Sequence, residues 1–234
     1  MKGVILAGGK GTRLRPTTRV VNKHVIPIYD RPMIYYPVET LLGAGIDDIL
    51  VISNADHIGK YIELLEEDFD ADFNYKVQSE PKGIAHGVGL AENFVNDEFV
   101  VLLGDNILIG DLTREMLSLD SPGAKIFVKQ VDEPAAYGVA TIDDGKVTRL
   151  DEKPDDPPSD YAVLGLYRYT SDVFDIIDDL EPSDRGEYEI TDVNKAYVER
   201  GQLEYEVFDG EWFDAGTPEG IYKASKVVRD NRQF

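Results

Sequence analysis

The sequence predicts an α/β protein, a mostly parallel sheet flanked by helices with a mixed sheet portion in its second half. Three observations predict it. Short, unbroken apolar runs stop at glycine or at a turn residue, as at Gly8-Gly9 and Gly104-Asp105. Helix-like stretches alternate with those runs, which is the pattern of βαβ units. Past about residue 110 the strand-like stretches instead follow one another through tight turns. Unbroken rather than alternating apolar character suits strands covered on both faces.

In chain order, Lys2–Ala7 (KGVILA) reads as the first buried strand. Pro32–Leu42 reads as a helix stopped by Gly43-Ala44-Gly45. Asp48–Ser53 (DILVIS) is the next strand, and Asp56–Glu67 a helix following Asn54. Ile84–Phe94 follows Pro81-Lys82-Gly83 as a helix, and Glu98–Leu103 (EFVVLL) is a strand. Lys125–Val131, Gly138–Ile142, Lys146–Asp151 and Tyr161–Tyr169 are strand-like, with Asp143-Asp144-Gly145 as a hairpin turn. Pro154–Asp160 is a Pro-rich loop, and Ser171–Leu180 and Thr191–Arg200 look helical, the latter ending at Gly201. Leu203–Phe208 is a further strand and Pro218–Arg232 a last helix. No repeat, low-complexity tract or separating linker appears.

Composition narrows the functions. With 42% hydrophobic residues the chain of 234 can bury a sizeable core. A net charge of −21 argues against general binding to nucleic acid or to an anionic membrane. The absence of cysteine excludes disulfides, thiolate metal sites and Cys nucleophiles. No apolar run approaches the roughly 20 residues of a membrane span, and Met1–Leu6 is too short for a signal peptide, so a soluble cytoplasmic protein is expected. The acid excess is Asp-rich, 27 Asp to 18 Glu with 13 Lys, which suggests adaptation to high salt.

Charge is unevenly placed. Residues 1–29 carry Lys2, Lys10, Arg13, Arg15, Arg19 and Lys23 and no acid, so this segment is +6 and the rest −27. A cationic block in an anionic chain points to a local anionic ligand. Within it lies Gly8-Gly9-Lys10-Gly11-Thr12-Arg13, directly after a strand. Glycines there let backbone N–H groups approach phosphate oxygens, and arginine and lysine add a guanidinium fork and an ammonium charge. The loop is not a P-loop, because Lys10 is followed by Gly11 rather than Ser or Thr. It is not a dinucleotide fingerprint either, because Leu14 stands where the third glycine belongs, which disfavours a dehydrogenase.

The run AGGKGTRLRPTT, Lys23, IPIYDRPMIYYP, then VQSEPKGIAH, LLGDN, YGVA, LDEKP, YAVLGLY, RGEYEITDVN and WFDAGT, in that order, resembles the sugar nucleotidylyltransferases, most closely their glucose-1-phosphate thymidylyltransferase branch. The resemblance covers nearly the whole chain. It implies a single Rossmann-like domain over 1–234, about 1–110 holding the nucleotide and about 111–234 the sugar phosphate. It implies attack by a sugar-1-phosphate oxygen on the α-phosphorus of a nucleoside triphosphate, dTTP or UTP, with Mg2+ as cofactor. The attacking oxygen is already an anion, so the task is to align two anions and absorb charge on the leaving pyrophosphate.

By the same resemblance Arg13, Lys23 and Lys153 are the catalytic cations, Arg13 on the triphosphate and Lys153 on the sugar phosphate. Leu6, Gly8, Gly9, Gly11, Thr12, Arg13 and Asp105 line the nucleotide, with Gln78 and Gly83 on the base. Tyr137, Gly138, Glu152, Lys153, Val163 and Glu189 take the sugar. Asp105 and Asp214 hold the metal, as hard oxygen ligands suited to Mg2+. Several positions depart from the family pattern: His86 for Gln, Leu164 for Thr, and Asn22 and His24 beside Lys23 for Ser and Gln. The chain reaches Phe234 soon after its last helix, so the helical extension of longer bacterial members is not expected, nor is feedback inhibition carried over. A homo-oligomer stays open. So does thymine against uracil, since one methyl is worth only ~1–3 kcal/mol in a pocket. A non-catalytic sugar-nucleotide-binding subunit would be expected to lack Arg13, Lys153 or a metal Asp, and all are present.

Overall fold

The computed structural model describes residues 1–231. Its elements run β1 (Lys2–Leu6), β2 (Pro27–Ile28), β3 (Arg31–Pro32), α1 (Tyr35–Gly43), β4 (Asp48–Ser53), α2 (Ala55–Asp68) and β5 (Asp72–Val77). Then come α3 (Ile84–Gly89), β6 (Glu98–Leu103), β7 (Asn106–Ile109), β8 (Ala124–Gln130), β9 (Gly138–Asp143), β10 (Lys146–Glu152) and β11 (Tyr161–Thr170). The chain closes with α4 (Val173–Asp178), α5 (Ile190–Arg200), β12 (Leu203–Val207), β13 (Glu211–Asp214) and α6 (Pro218–Asn231). Arg232, expected at the end of the last helix, lies outside the described residues.

Two compact units interleave along the chain. One comprises Lys2–Glu80, Leu102–Thr113 and the chain from Gly210; the other comprises Pro81–Val101 and Arg114–Asp209. In the first unit β4 pairs in parallel with both β1 and β5. Ile49–Ser53 are all buried, as an unbroken DILVIS run demands of a strand covered on both faces. β7 and β13 form an antiparallel ribbon with Asn106 opposite Asp214. Ile28, Met33, Tyr36, Ile107, Ala215, Ala224 and Val228 form the core behind that ribbon, joining it to α1 and α6. The Trp212 indole N–H donates to Asn106 Oδ1 at 2.7 Å and locks the register.

The second unit is the mixed portion. β8 pairs antiparallel with β11 and parallel with β12, and β9 pairs antiparallel with β10 and β11. The β9–β10 turn is the expected one: Asp144 and Gly145 both have positive φ, which a tight hairpin requires. A charged row crosses this sheet. Glu204 on β12 is opposite Lys125 on β8, which is opposite Arg168 on β11, and Arg168 pairs with Glu98 on β6. Arg168 is buried, and its Nε and Nη1 have no hydrogen-bond partner among the described residues. The Glu98 carboxylate therefore carries most of the compensation. Glu98→Ala is expected to cost about 2–3 kcal/mol in urea unfolding, below the ~3–5 of a fully buried pair because Glu98 is partly solvated. Arg168→Met removes the charge instead of its partner and should cost clearly less; the reverse order would contradict this account.

Several boundaries differ from the sequence expectation. The helix expected from Pro32 begins at Tyr35, because Pro27–Ile28 and Arg31–Pro32 close a small hairpin first. The helix expected to reach Phe94 ends at Gly89 and continues as turns. β5, β7 and β13 were not expected as strands.

Candidate active site

In the first unit the glycine loop leaves β1 and enters a 3-10 turn over Thr12–Leu14. Gly9 has φ 94° and Gly11 φ 56°, conformations that favour glycine. At Gly11 there is no room either, since a Cβ would sit 2.8 Å from Thr18 Cγ2, and the Thr18 hydroxyl donates to Gly11 O at 2.6 Å. At Gly8 a Cβ would meet Gln78 Oε1 at 2.7 Å, so the base-reading candidate amide lies against the loop. The exposed Arg13 sits just beyond, where its guanidinium reaches Asp214 Oδ2 at 3.1 Å.

Asp105 follows the end of β6 and Lys23 lies in a 3-10 turn, Lys23–Val25. The Lys23 and Asp105 side chains, 14% and 11% exposed in that order, pair at 2.5 Å. Burial works against the Asp105 carboxylate, but the Lys23 ammonium beside it holds it well below the usual carboxylate range, helped by its hydrogen bond and by Arg13. Asp214 ends β13 and accepts the Gly216 N–H at 2.9 Å, while Ala215 N–H donates to Asp105 O at 2.8 Å. A Cβ on Gly216 would lie 2.6 Å from Arg13 Nη2, 2.8 Å from Asp214 Oδ1 and 2.9 Å from Asp105 Oδ2. Two carboxylates and one guanidinium thus converge on one glycine, and the Lys23 ammonium pairs with one of those carboxylates. Among the described residues no group of three or more acidic or histidine side chains could hold a metal alone. The Asp105–Asp214 pair offers hard oxygens and leaves further positions to phosphate and water, which suits a small divalent cation.

In the second unit Glu152 is the centre. Its Oε2 accepts from the Thr191 hydroxyl at 2.7 Å, and Oε1 meets Lys153 Nζ at 3.2 Å and Arg185 Nη2 at 3.3 Å. Burial raises the Glu152 pKa, but the Thr191 hydrogen bond and the cations outweigh it and hold the carboxyl below its ordinary value. Lys153 sits at φ 45°, uncommon for a lysine, and its N–H donates to Tyr137 O at 3.0 Å. A Cβ on Gly138 would touch Thr191 Oγ1, Glu152 Oε2 and Val163 Cβ at 3.5–3.7 Å, which brings the expected Gly138, Glu152 and Val163 together. Glu189 accepts from Ser183 Oγ at 2.8 Å and Arg185 at 2.9 Å. Gly83, at φ 102°, packs on Tyr188, where a Cβ would fall 2.4 Å from the carbonyl oxygen.

Gly216, Thr191 and Arg185 were not singled out from the sequence, although WFDAGT and RGEYEITDVN contain them. Leu164, one of the departures, is wholly buried on β11, with Val163 beside it at the Gly138 surface. The Thr-to-Leu change therefore falls in the core. His86 is half-buried on α3.

A strand–glycine loop in an α/β fold, with carboxylates and cations gathered beside it, suits the binding of phosphoryl groups. The chain belongs to the nucleotidyl transferase family, whose model matches residues 2–231. It is similar to a glucose-1-phosphate thymidylyltransferase of Mycolicibacterium smegmatis, 45% identical over 98% of this chain and 82% of the relative. It is also similar to the low-salt glycan biosynthesis nucleotidyltransferase Agl11 of Haloferax volcanii, 42% identical over 100% of this chain and 68% of the relative. Among solved structures, a UDP-glucose pyrophosphorylase complexed with UDP-glucose superposes with TM-score 0.82 at 27% identity, covering 99% of both chains. A chain from Bacillus anthracis, provisionally named a glucose-1-phosphate thymidylyltransferase, gives 0.93 at 45% identity, covering 100% of this chain and 97% of that one. No helix among the described residues is long and apolar enough to cross a membrane.

Proposed function

We propose that the protein transfers a nucleotidyl group from dTTP to glucose 1-phosphate, forming dTDP-glucose and pyrophosphate. The observation that carries this reading is the convergence of Arg13, Asp105 and Asp214 on Gly216, with Lys23 paired to Asp105, in a chain 45% identical to a glucose-1-phosphate thymidylyltransferase. A sugar-phosphate oxygen attacks the α-phosphorus, the bond to the β-phosphate bridging oxygen breaks, and pyrophosphate leaves with the electron pair. No general base is required. Arg13 and Lys23 offset charge on the phosphates and Lys153 holds the sugar phosphate. Leu6, Gly8, Gly9, Gly11 and Thr12 border the nucleotide, and Gln78 and Gly83 read the base. Tyr137, Gly138, Glu152, Val163 and Glu189 receive the sugar. Asp105 and Asp214 would hold Mg2+, which when bound neutralises phosphate charge.

The UDP-glucose pyrophosphorylase neighbour favours UTP as a second reading of the same site. The experiment is pyrophosphate release with Mg2+ and glucose 1-phosphate, comparing dTTP, UTP, CTP, ATP and GTP at low and molar KCl. Preference for dTTP supports the first reading and preference for UTP the second; no release with any nucleotide would overturn both. Higher activity and melting temperature in molar KCl are expected from the −21 charge, and indifference to salt would contradict a halophilic origin.

Thr191→Val tests the sugar side. It removes the hydroxyl that donates to Glu152. A hydrogen bond is worth roughly 0.5–1.5 kcal/mol, so KM for the sugar phosphate should rise about 2–10-fold while KM for the nucleotide stays put. An equal rise in both would contradict the assignment of Glu152 to the sugar.

A further inference from the structure

Lys23 and Asp105 are 82 residues apart in sequence, yet their charged groups meet at 2.5 Å. A buried polar cluster adjoins them. Asn22 caps the turn carrying Lys23, its Oδ1 accepting the His24 backbone N–H at 2.7 Å. The His24 ring is wholly buried. Its Nδ1 lies 3.1 Å from Asn22 Oδ1 and 3.2 Å from the Tyr61 hydroxyl. Tyr61, also wholly buried, is 2.9 Å from Asn22 Oδ1 and 3.3 Å from Ala7 O, the carbonyl that also accepts from Ser53 Oγ at 2.7 Å.

The other edge of the ring faces the strand exit. A Cβ on Gly104 would lie 2.8 Å from His24 Cδ2 and 2.9 Å from Nε2. One imidazole therefore follows Lys23 in the chain and abuts the residue before Asp105. It is an expensive filler. His24 Nε2 and Asn22 Nδ2 are buried without a hydrogen-bond partner among the described residues. A purely packing role would be met at lower cost by an apolar side chain, since an unsatisfied buried polar atom is destabilising. Local polar conflict of this kind is expected where function constrains the site.

We propose that His24 is a positioning residue: its ring is the spacer that sets the Lys23 ammonium against the Asp105 carboxylate. The inference rests on the nucleotidyl-transfer reading above and deepens it. Two variants separate the ring's two edges. An asparagine places an amide near the Nδ1 position and can keep the Asn22 contact, but it leaves the space beside Gly104 empty. A glutamine reaches toward the Nε2 position and refills that space.

The test compares His24→Asn and His24→Gln with wild type in two measurements. In steady-state pyrophosphate release, H24N should lower kcat about 10–100-fold with KM for the nucleotide within about threefold, because misplacement near the chemistry costs turnover. H24Q should stay within about threefold of wild type in kcat. In urea unfolding, the Lys23–Asp105 coupling, read from K23M, D105N and the double variant, should be at least halved in the H24N background and retained with H24Q. Unchanged kcat and coupling in H24N would show a packing residue only and overturn the proposal. So would a wild-type-like H24N beside an impaired H24Q, which would assign positioning to the Asn22 hydrogen bond alone. Wild-type protein that releases no pyrophosphate would overturn the functional reading instead, and the coupling measurement would still decide the spacer role.

Discussion

Asp105→Asn is expected to lower the Mg2+-dependent rate by about 10²–10³-fold, the scale on which removing one preorganised electrostatic group acts at a transition state. Asparagine keeps the shape and loses the charge. The Lys23 ammonium then remains in a mostly buried position without its ion partner. Breaking such a pair from one side costs about 3–5 kcal/mol, so stability should fall along with rate. The sign with pH follows from the direction of the shift. The folded chain holds the Asp105 carboxyl below its ordinary value of 3.8, so the pair stabilises above that value and is lost as the pH falls through the folded-state value. The stability gap between wild type and D105N, measured by urea unfolding, should therefore be full at pH 7 and shrink as the pH drops below about 4. A variant with the full Mg2+-dependent rate would sink the metal assignment.

The parts of the fold legible in the sequence are those whose signal is local. β1, β4 and β6 are unbroken apolar runs, and the Asp144-Gly145 turn has the chemistry its backbone needs. β5 (DFNYKV) carries no such run, because it is largely exposed while β4 beside it is buried. β7 and β13 exist only as each other's partners, about a hundred residues apart, and neither makes a strand signal alone. The Gly43-Ala44-Gly45 stop marks the end of the helix expected from Pro32 but not its start, and the preceding residues pair Pro32 with Pro27. The same division holds in the candidate site. Arg13, Lys23, Asp105, Asp214, Glu152 and Lys153 sit in recognisable runs, and each takes part in an ion pair found in the structure. Tyr61 beneath His24, and Thr191 beside Glu152, were not legible, because their roles come from contacts made 37 and 39 residues away.

Gly216→Ala should separate function from folding. The Gly216 backbone does not need glycine's positive φ, so alanine brings no backbone strain of that kind. Its methyl would instead land 2.6–2.9 Å from Arg13 Nη2, Asp214 Oδ1 and Asp105 Oδ2. All three are side-chain ends, and they can move aside without shifting a strand. Stability should accordingly change by no more than about 1 kcal/mol, in the range of a tolerated substitution. The cost falls on geometry. Spreading the two carboxylates and turning Arg13 away removes the convergence on which phosphate alignment depends, and a displacement of about 1 Å can cost about 10²-fold in rate. Gly220→Ala is the contrasting case. Its methyl would fall 1.8 Å from the Asp214 carbonyl oxygen, which is backbone, so the start of α6 would have to shift and unfolding should come at clearly lower urea. A G216A protein with wild-type turnover would mean that the carboxylates and Arg13 work without their close approach. Loss of folding in G216A would mean that the glycine serves the core behind the β7–β13 ribbon rather than the charges in front of it.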